Sequence, residues 1–449
     1  MSAGYSARSV RQADGLDPVR ALQRVLYRSA KQDPSRRFHA LFDKVARSDV
    51  MWRAWVDVST NRGAPGVDGV SIDAIAESGV AGVRAFLDAL GAELRAGCYR
   101  PRPLRRVFIP KPDGRQRPLG IPCVRDRVVM TAAKIVLEPI FEADFAPSSF
   151  GFRPKRSAHM ALEAIRDAAN RGADWVLDAD ITACFDRIDH DALLALVARR
   201  VLDRPMLKLV RSWLRAGVLE AGTIADTVSG TPQGSPISPL LANVALHCLD
   251  ETWQRKGGWR LGVLIRYADD FVVVCPTRQR AVEAQRRIEV ILAPLGLQLN
   301  PAKTRIVCLD RGAEGFDFLG FHLRKVRHWK WKHRWYLQRW PSVRAMRTIR
   351  ARIKAATQRR FVGLDLSTVV GRLNRSLRAW GAYFRYGNSS RQFQRIDSYV
   401  HERLAILASN KHARAGRNWA THYNWAWCSR LGVYRLTGTV RHGTAHAMR

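Results

Sequence analysis

The sequence predicts an α+β fold in which a small antiparallel sheet packs on helices and a mostly helical region follows. Residues 261–265 and 271–275 are two short apolar runs of core-strand length, and only a few residues separate them, as in a β-hairpin. Residues 175–180 alternate between two faces in the manner of a further strand. Elsewhere, apolar residues recur at helical spacing, so we expect helices to cover these strands.

Residues 1–99 are predicted to form a helical amino-terminal extension with one glycine-rich loop. Up to about residue 60, apolar side chains recur at helical spacing among basic residues. Residues 61–69 form the loop, and helices carry the chain on to Tyr99. The apolar positions of the first part are Leu22, Val25, Leu26, Phe38, Leu41, Phe42 and Val45.

Residues 100–172 are predicted to contain a basic β-hairpin followed by helices. Strand-like residues flank the turn at residues 112–114, and helical spacing begins near Asp126. Lys111 and Arg117 lie on either side of this turn, so two cations face one another across the hairpin. Such a pair can bind phosphate groups. The alternative is a solvated basic hairpin.

Two acid clusters distinguish residues 173–325. Asp269 and Asp270 interrupt an otherwise apolar hairpin, and burial of carboxylates is costly unless cations neutralise them. Taken alone, the pair would indicate a solvated turn. A second cluster ends in Asp180 at the end of its own strand, and metal-assisted phosphoryl transfer needs carboxylates that converge from separate strands. We therefore predict that Asp180 and Asp269 bridge two metal ions and that Asp270 has a smaller share in binding them.

The chain carries a large positive charge that is concentrated towards its carboxyl terminus. Lys and Arg number 75 against 39 Asp and Glu, a formal net charge of +36. Residues 326–449 hold 26 of these cations, three acids and eight of the 14 tryptophans. This excess predicts strong, salt-sensitive attraction to a phosphate backbone. The interleaved basic and aromatic residues 328–340 could stack on bases, or their tryptophans could pack a small helical domain.

Other features exclude several classes of protein. Residues 1–20 are charged and lack the apolar stretch of a signal peptide, and no apolar run is long enough to span a bilayer. The seven cysteines are scattered without a C-x-x-C pair, which argues against a zinc site and a disulfide framework. We expect a cytoplasmic protein with reduced thiols and no membrane partner.

The motifs together resemble the enzymes encoded within bacterial group II introns. DADITACFD at residues 178–186 and RYADDFVVV at residues 266–274 are similar to the palm motifs of reverse transcriptases. The glycine-rich loop at residues 61–69, SGTPQGSPISPLLAN at residues 229–243, LNPAKT at residues 299–304 and FLGF at residues 318–321 resemble further blocks of that family. All of them occur in family order, which chance would rarely produce.

The resemblance implies a right-hand polymerase with an antiparallel palm sheet and a helical thumb. By this resemblance, residues 100–172 are the fingers, residues 173–325 the palm and residues 326–449 the basic thumb, or maturase X domain. The implied function is RNA-directed DNA synthesis with two Mg²⁺ ions, together with assistance to splicing and mobility of a group II intron RNA. The implied partners are that intron RNA, an RNA template with its DNA primer, a target DNA and deoxynucleotides.

The resemblance also implies roles for individual residues. Asp180, Asp269 and Asp270 are the catalytic acids, and with Ile181 they form the implied metal-binding set. The implied nucleotide-binding residues are Lys111, Arg117, Phe185, Gln233 and Lys303. Phe185 would lie under the sugar and exclude a 2′-hydroxyl, although a phenylalanine in an apolar run is ordinarily core. Lys330, Lys332 and Arg334 are the expected RNA-binding residues.

Some positions depart from the family pattern. Thr182 and Ala183 stand where many relatives have lysine and glycine, and Arg187 stands where relatives often have asparagine. These differences affect local contacts rather than the metal site. The thumb reaches the last residue, 449, so we expect no carboxyl-terminal nuclease domain. The primer would then come from another source, such as a nascent strand at a replication fork. Two alternatives stay open: a domesticated relative that acts in DNA repair or phage defence, and a splicing cofactor that binds RNA without polymerising.

Overall fold

The computed structural model describes residues 17–110, 116–220, 223–225, 230, 234–413 and 421–441. Helices make up most of this part of the chain and start where the sequence supplies caps. Asp189, for example, accepts a hydrogen bond from the Ala192 amide at the helix that begins at His190. The helices are α1 Pro18–Gln32, α2 Phe42–Val45, α3 Ser48–Thr60, α4 Ile72–Ala76, α5 Gly79–Arg95, α6 Val124–Glu142, α7 Ala158–Asn170, α8 Cys184–Arg187, α9 His190–Ala198, α10 Arg204–Leu214, α11 Ser238–Arg255, α12 Arg278–Leu292, α13 Val343–Ala356, α14 Leu366–Phe384, α15 Ser390–Lys411 and α16 Trp425–Arg430.

The strands form three separate sheets. The first has the order β2-β1-β4-β5, the second β6-β7-β3-β8 and the third β11-β10-β9. Neighbouring strands are antiparallel except for β1 and β4. The strands are β1 Leu104–Pro110, β2 Gln116–Ile121, β3 Trp175–Asp180, β4 Val218–Glu220, β5 Thr223–Ala225, β6 Val263–Tyr267, β7 Asp270–Cys275, β8 Arg305–Cys308, β9 Gly315–Phe318, β10 Phe321–Arg327 and β11 Trp335–Pro341. The predicted α+β class is confirmed.

The sheet β6-β7-β3-β8 separates two hydrophobic cores. On one face, Leu177 and Phe271 join the larger core, which is built from the helices that precede and flank the sheet. On the other face, Val176 and Val272 join a core shared with α7, the third sheet and the carboxyl-terminal helices. Because side chains alternate along a strand, the even-numbered residues of β3 and β7 all lie on this second face. The acids at the strand ends therefore share a face.

The carboxyl-terminal region begins with strands, and its helices follow. Helix α13 begins at Val343 and is the first of the carboxyl-terminal helices. Residues 326–341, however, complete β10 and form β11, so the predicted boundary between residues 325 and 326 falls within a strand. The basic, tryptophan-rich segment is consequently a β-hairpin, whereas the sequence had suggested a helical setting for it.

The apolar positions at helical spacing near the amino terminus are not all buried. Leu26 and Leu41 are buried as predicted, but Val25 lies on the solvent side of α1. No helix in the described ranges is long and apolar enough to cross a membrane.

Candidate active site and nucleic-acid interface

Asp180 and Asp270 lie directly opposite one another in the second sheet. Strand β3 pairs with β7 in antiparallel register, and the last pair of that ladder is Asp180 with Asp270. Strand β6 pairs on the other side of β7, with Tyr267 opposite Asp270. The turn between β6 and β7 consists of Ala268 and Asp269. The three predicted acids therefore occupy neighbouring positions at one end of the sheet.

Two residues of the LNPAKT segment contact Asp180. The Lys303 ammonium lies 2.8 Å from Asp180 Oδ2, and the Asn300 side-chain amide lies 3.4 Å from the same oxygen. The Asn300 backbone amide also donates to the Asp180 carbonyl oxygen at 2.8 Å. Sequence reasoning expected a phosphate-binding role for Lys303 but assigned none to Asn300. The only sequence signal for Asn300 was its place in that motif.

Burial and mutual repulsion act on the acids at this end of the sheet. The pKa of Asp270 is raised to about 6, first by burial and then by the negative charges of Asp269 and Asp180, while Lys303 opposes the shift. Burial also raises the pKa of Asp178, which forms an ion pair with Arg305 at 3.1 Å. The site therefore favours any cation that can share these carboxylates.

The donor set suits Mg²⁺ but does not form a closed cage. Within the described part of the chain, no group of three or more His, Cys, Asp or Glu side chains is arranged to hold a metal ion. Ile181 is buried and can offer only its backbone carbonyl oxygen. Mg²⁺ prefers hard oxygen ligands and usually keeps waters or substrate phosphates in its shell. Carboxylates that are close enough to repel one another can share a divalent ion, and oxygen atoms of water or of a nucleotide would complete its coordination shell.

Phe185 lies just beyond the acid-bearing end of β3. It belongs to α8 and packs, partly buried, against the larger core. Ala183, at the start of this helix, has a left-handed backbone with φ of 46°, a conformation that glycine adopts most easily. Ala183 thus holds a left-handed backbone at a position where many relatives have glycine. The partial exposure of Phe185 is compatible with both its predicted sugar contact and a core role.

The other predicted nucleotide-binding residues lie at the edge of what the structure describes. Lys111 and Gln233 are outside the described residues, and so is the Arg117 side chain. The Arg117 backbone pairs with Ile109 in the predicted hairpin. Gly234 has φ of 113°, and a Cβ atom there would lie 2.6 Å from the Gly120 carbonyl oxygen, so Gly234 itself packs tightly against β2.

The loop between β10 and β11 exposes aromatic rings among cations. Trp329 is 81% exposed and Trp331 is 48% exposed, which is unusual for the largest hydrophobic side chain. The His328 ring stacks on Trp331 with a centroid distance of 4.7 Å. The Lys330 ammonium and the Arg334 guanidinium lie 5.9 and 5.4 Å from the Trp331 ring centroid. Together with the exposed Lys332, this tip combines flat apolar faces with positive charge.

Comparisons with known families match two parts of the chain. The family described as "Reverse transcriptase (RNA-dependent DNA polymerase)" matches residues 109–323. The family described as "Group II intron, maturase-specific domain" matches residues 346–425. The first match contains the paired acids and the Lys303 contact, and the second covers most of the carboxyl-terminal helices.

Individual relatives agree with these two matches. Protein YkfC of Escherichia coli (strain K12) is 34% identical over 350 residues, which are 69% of this chain and 89% of YkfC. Group II intron-encoded protein LtrA of Lactococcus lactis subsp. cremoris is 36% identical over 239 residues, which are 53% of this chain and 39% of LtrA. The match to LtrA thus spans well under half of that protein. The chain belongs to the family of group II intron-encoded reverse transcriptases with a maturase domain, and its enzyme class is RNA-directed DNA polymerase.

Proposed function

We propose that this protein extends a DNA primer on an RNA template at the site of Asp180, Asp269 and Asp270, with two Mg²⁺ ions. The observation that carries the proposal is the pairing of Asp180 with Asp270 in the β3–β7 ladder, directly beside Asp269. Bound Mg²⁺ would neutralise charge that develops during nucleotidyl transfer. The three carboxylates would hold the ions, with the larger share falling to Asp180 and Asp269 and a smaller one to Asp270.

Lys303 has two successive partners in this proposal. Without substrate, its ammonium neutralises Asp180 at 2.8 Å. A nucleotide brings phosphate groups, and the flexible, half-exposed lysine can turn from the carboxylate to a phosphate oxygen or give a proton to the pyrophosphate. Lys111 and Arg117 would bind the β and γ phosphates, Gln233 would contact the template base, and Phe185 would select the deoxyribose. These four roles rest on the family resemblance.

The carboxyl-terminal region is the proposed site for the cognate intron RNA. The exposed rings of Trp329 and Trp331 offer stacking surfaces, and Lys330, Lys332 and Arg334 supply charge for phosphates. A bound RNA would therefore gain contacts that a duplex lacking unpaired bases could not make. Assistance to splicing and mobility of that intron is the role that the maturase-specific match supports.

The polymerase assignment is tested by Asp269→Asn. This change removes a proposed metal ligand without adding bulk, so we expect loss of DNA synthesis with nearly unchanged RNA affinity. The measurements are Mg²⁺-dependent primer extension on poly(rA)/oligo(dT) and filter binding of the same substrate. Asp310→Asn, an exposed acid of the palm next to the far end of β8, is the control and should leave both unchanged. Persistent extension by the Asp269 variant would overturn the assignment.

A domesticated polymerase that serves DNA repair or phage defence would use the same acids. Splicing of the enclosing intron in the presence and absence of the protein separates this alternative from the intron-encoded role. A protein that only assists splicing would be recognised by an absence of extension with intact RNA affinity.

A further inference from the structure

A fully buried arginine lies directly beneath the turn that carries Asp269. Arg266, in β6, and Asp250, in α11, both have 0% of their side chains exposed. The Arg266 Nε donates to Asp250 Oδ1 at 3.0 Å, and its Nη2 donates to Asp250 Oδ2 at 2.5 Å. The remaining guanidinium nitrogen, Nη1, donates to the Asn243 side-chain oxygen and to the Ala268 carbonyl oxygen, each at 3.0 Å.

The Ala268 carbonyl has a special position in the turn. It belongs to the peptide group that leads into Asp269, so a hydrogen bond to it fixes the plane of that peptide. Ala268 also has φ of 58°, in the left-handed region that residues other than glycine seldom adopt. Such a conformation persists only where the surroundings hold it. The Arg266 side chain stabilises it from the protein interior through its hydrogen bond to the Ala268 carbonyl oxygen.

A loop between α6 and α7 contacts the same turn from its other side. The Phe150 amide donates to the Arg266 carbonyl oxygen at 2.8 Å, and the Asn243 side-chain amide donates to the Gly151 carbonyl oxygen at 2.9 Å. Glycine is required at position 151, because a Cβ atom there would lie 2.3 Å from the Ala268 backbone nitrogen. The turn is thus enclosed between Gly151 and the Arg266 guanidinium.

Stability alone does not account for the buried pair. Desolvation offsets most of the attraction between buried charges, and well-packed apolar residues often stabilise a protein at least as well. The contacts of Arg266 are instead directional. Its guanidinium connects α11 to the turn through fixed donor geometry, while the Arg266 backbone bonds to the 148–151 loop.

We infer that Arg266, held by Asp250 and Asn243, is a positioning residue that sets Asp269 relative to Asp180 and Asp270. This inference rests on the proposed role of these acids in nucleotidyl transfer. Arg266 touches no substrate, and it acts through the Ala268 carbonyl. Its loss should therefore impair the chemical step and metal-dependent nucleotide binding while leaving template and primer binding unchanged.

The main test replaces the pair together, as Arg266→Met with Asp250→Leu, so that no buried charge is left unpaired. Because small displacements of reacting groups can slow a reaction strongly, we expect kcat for dTTP incorporation to fall about 10- to 100-fold. A binding measurement accompanies it: dTTP affinity of the complex with a dideoxy-terminated primer, titrated with Mg²⁺. The variant should require more Mg²⁺ for half-maximal dTTP binding, with an unchanged Kd for template and primer.

Two single variants perturb the same turn by other means. Gly151→Ala leaves Arg266 intact and pushes on the Ala268 nitrogen, so it should lower kcat and raise the Mg²⁺ requirement in the same direction. Arg266→Lys keeps the charge partner of Asp250 but cannot make all the bonds, and it should have an intermediate effect. The control is Arg200→Met with Asp144→Leu, a largely buried pair at 3.1 Å that connects to α1 and not to the turn. It should leave the Mg²⁺ requirement unchanged.

A folded Arg266/Asp250 double variant with wild-type kcat and wild-type Mg²⁺ dependence would overturn the inference. If that variant does not fold, Arg266→Lys decides: a raised Mg²⁺ requirement with an unchanged Kd for template and primer supports the inference, and wild-type behaviour overturns it. Asp269→Asn in the same assays separates the two proposals. An inactive Asp269 variant beside a fully active double variant leaves the proposed function standing and removes only the positioning role.

Discussion

Asp270 illustrates how a residue that is proposed to bind metal can weaken the metal-free protein. Its pKa is raised to about 6 by burial and by the neighbouring carboxylates. A carboxyl group whose pKa is raised on folding contributes stability below its unfolded pKa of 3.8, and this stability is lost as pH rises through about 6. At pH 7.5 the folded protein therefore holds a carboxylate that the unfolded chain would hold more easily.

Asp270→Asn should consequently stabilise the metal-free protein at pH 7.5. Because the side chain is partly open to solvent, screening reduces the effect, and we expect a gain of about 1 kcal/mol in the free energy of unfolding. Urea unfolding in EDTA measures it, and the gain over wild type should shrink at pH 5, where Asp270 is largely protonated. A variant less stable than wild type at pH 7.5 would contradict the repulsion argument.

Phe185 is the second residue whose role is specific enough to test. Phe185→Val should make room for a 2′-hydroxyl and shift selectivity towards ribonucleotides by about 1 to 3 kcal/mol. Matched single-nucleotide kinetics with dTTP and UTP measure this ratio. Because Phe185 also packs against the larger core, thermal unfolding is recorded in parallel. Unchanged selectivity in a folded variant would assign Phe185 to the core alone.

At the scale of elements, α7 and α14 meet through a half-buried histidine contact. His159 Nε2 lies 2.7 Å from the Tyr383 carbonyl oxygen, and a carbonyl only accepts, so this nitrogen carries a proton. Burial lowers the pKa of His159, with the hydrogen bond to Tyr383 opposing it and the Arg339 charge reinforcing it. The neutral ring is thus the form that suits the contact between palm and carboxyl-terminal helices.

The pH dependence of this contact follows from the lowered pKa. Below the unfolded value of 6.5 the unfolded chain binds the proton more readily than the folded protein, so stability is full above pH 6.5 and falls as pH drops. His159→Gln keeps a donor for the Tyr383 carbonyl and cannot titrate. We expect its unfolding temperature to decline less than that of wild type between pH 7.5 and 5.5.

The control for this experiment is His39→Gln, which changes an exposed histidine. It should follow the wild-type curve. Burial also lowers the pKa of His247, so wild-type and control curves will both decline with acid, and only the difference at His159 is informative. A His159→Gln curve parallel to wild type would show that the folded and unfolded chains bind the His159 proton equally well, which would contradict the lowered pKa.

At the scale of the whole molecule, charge placement separates general from specific RNA binding. Changing Lys330, Lys332 and Arg334 together to alanine removes three cations that surround exposed tryptophan rings. We expect this to impair binding and splicing of the cognate intron more than extension on a simple primer and template. Splicing at near-physiological salt and extension are measured side by side.

The matched control removes the same charge from another surface. Arg278, Arg280 and Arg286 are exposed on α12, and their triple alanine variant has the same change in net charge. It should reduce RNA affinity at low salt with little loss of splicing selectivity. Equal losses of splicing and extension in the hairpin variant, or splicing without any need for the protein, would favour the domesticated polymerase.

Local sequence pattern was sufficient to locate the strands that carry the acids and to predict the class of fold. Alternation of side chains is local, so residues 175–180 and the Asp269–Asp270 turn could be located from short segments. Motif order then indicated the family. The register that places Asp180 opposite Asp270 joins residues 90 positions apart, and local pattern carries no information about such a pairing.

Contacts between distant segments became visible in the folded protein alone. The hairpin of β10 and β11 escaped sequence reasoning because buried cations interrupt its apolar alternation: Lys325 is neutralised by Asp174, and Arg339 by Glu163 from α7. The contact of Asn300 with Asp180 joins residues 120 positions apart, and Arg266 finds its partner Asp250 on a separate helix, so neither contact could be read from local pattern. A buried charge is tolerated only with its partner, and the fold alone brings that partner to it.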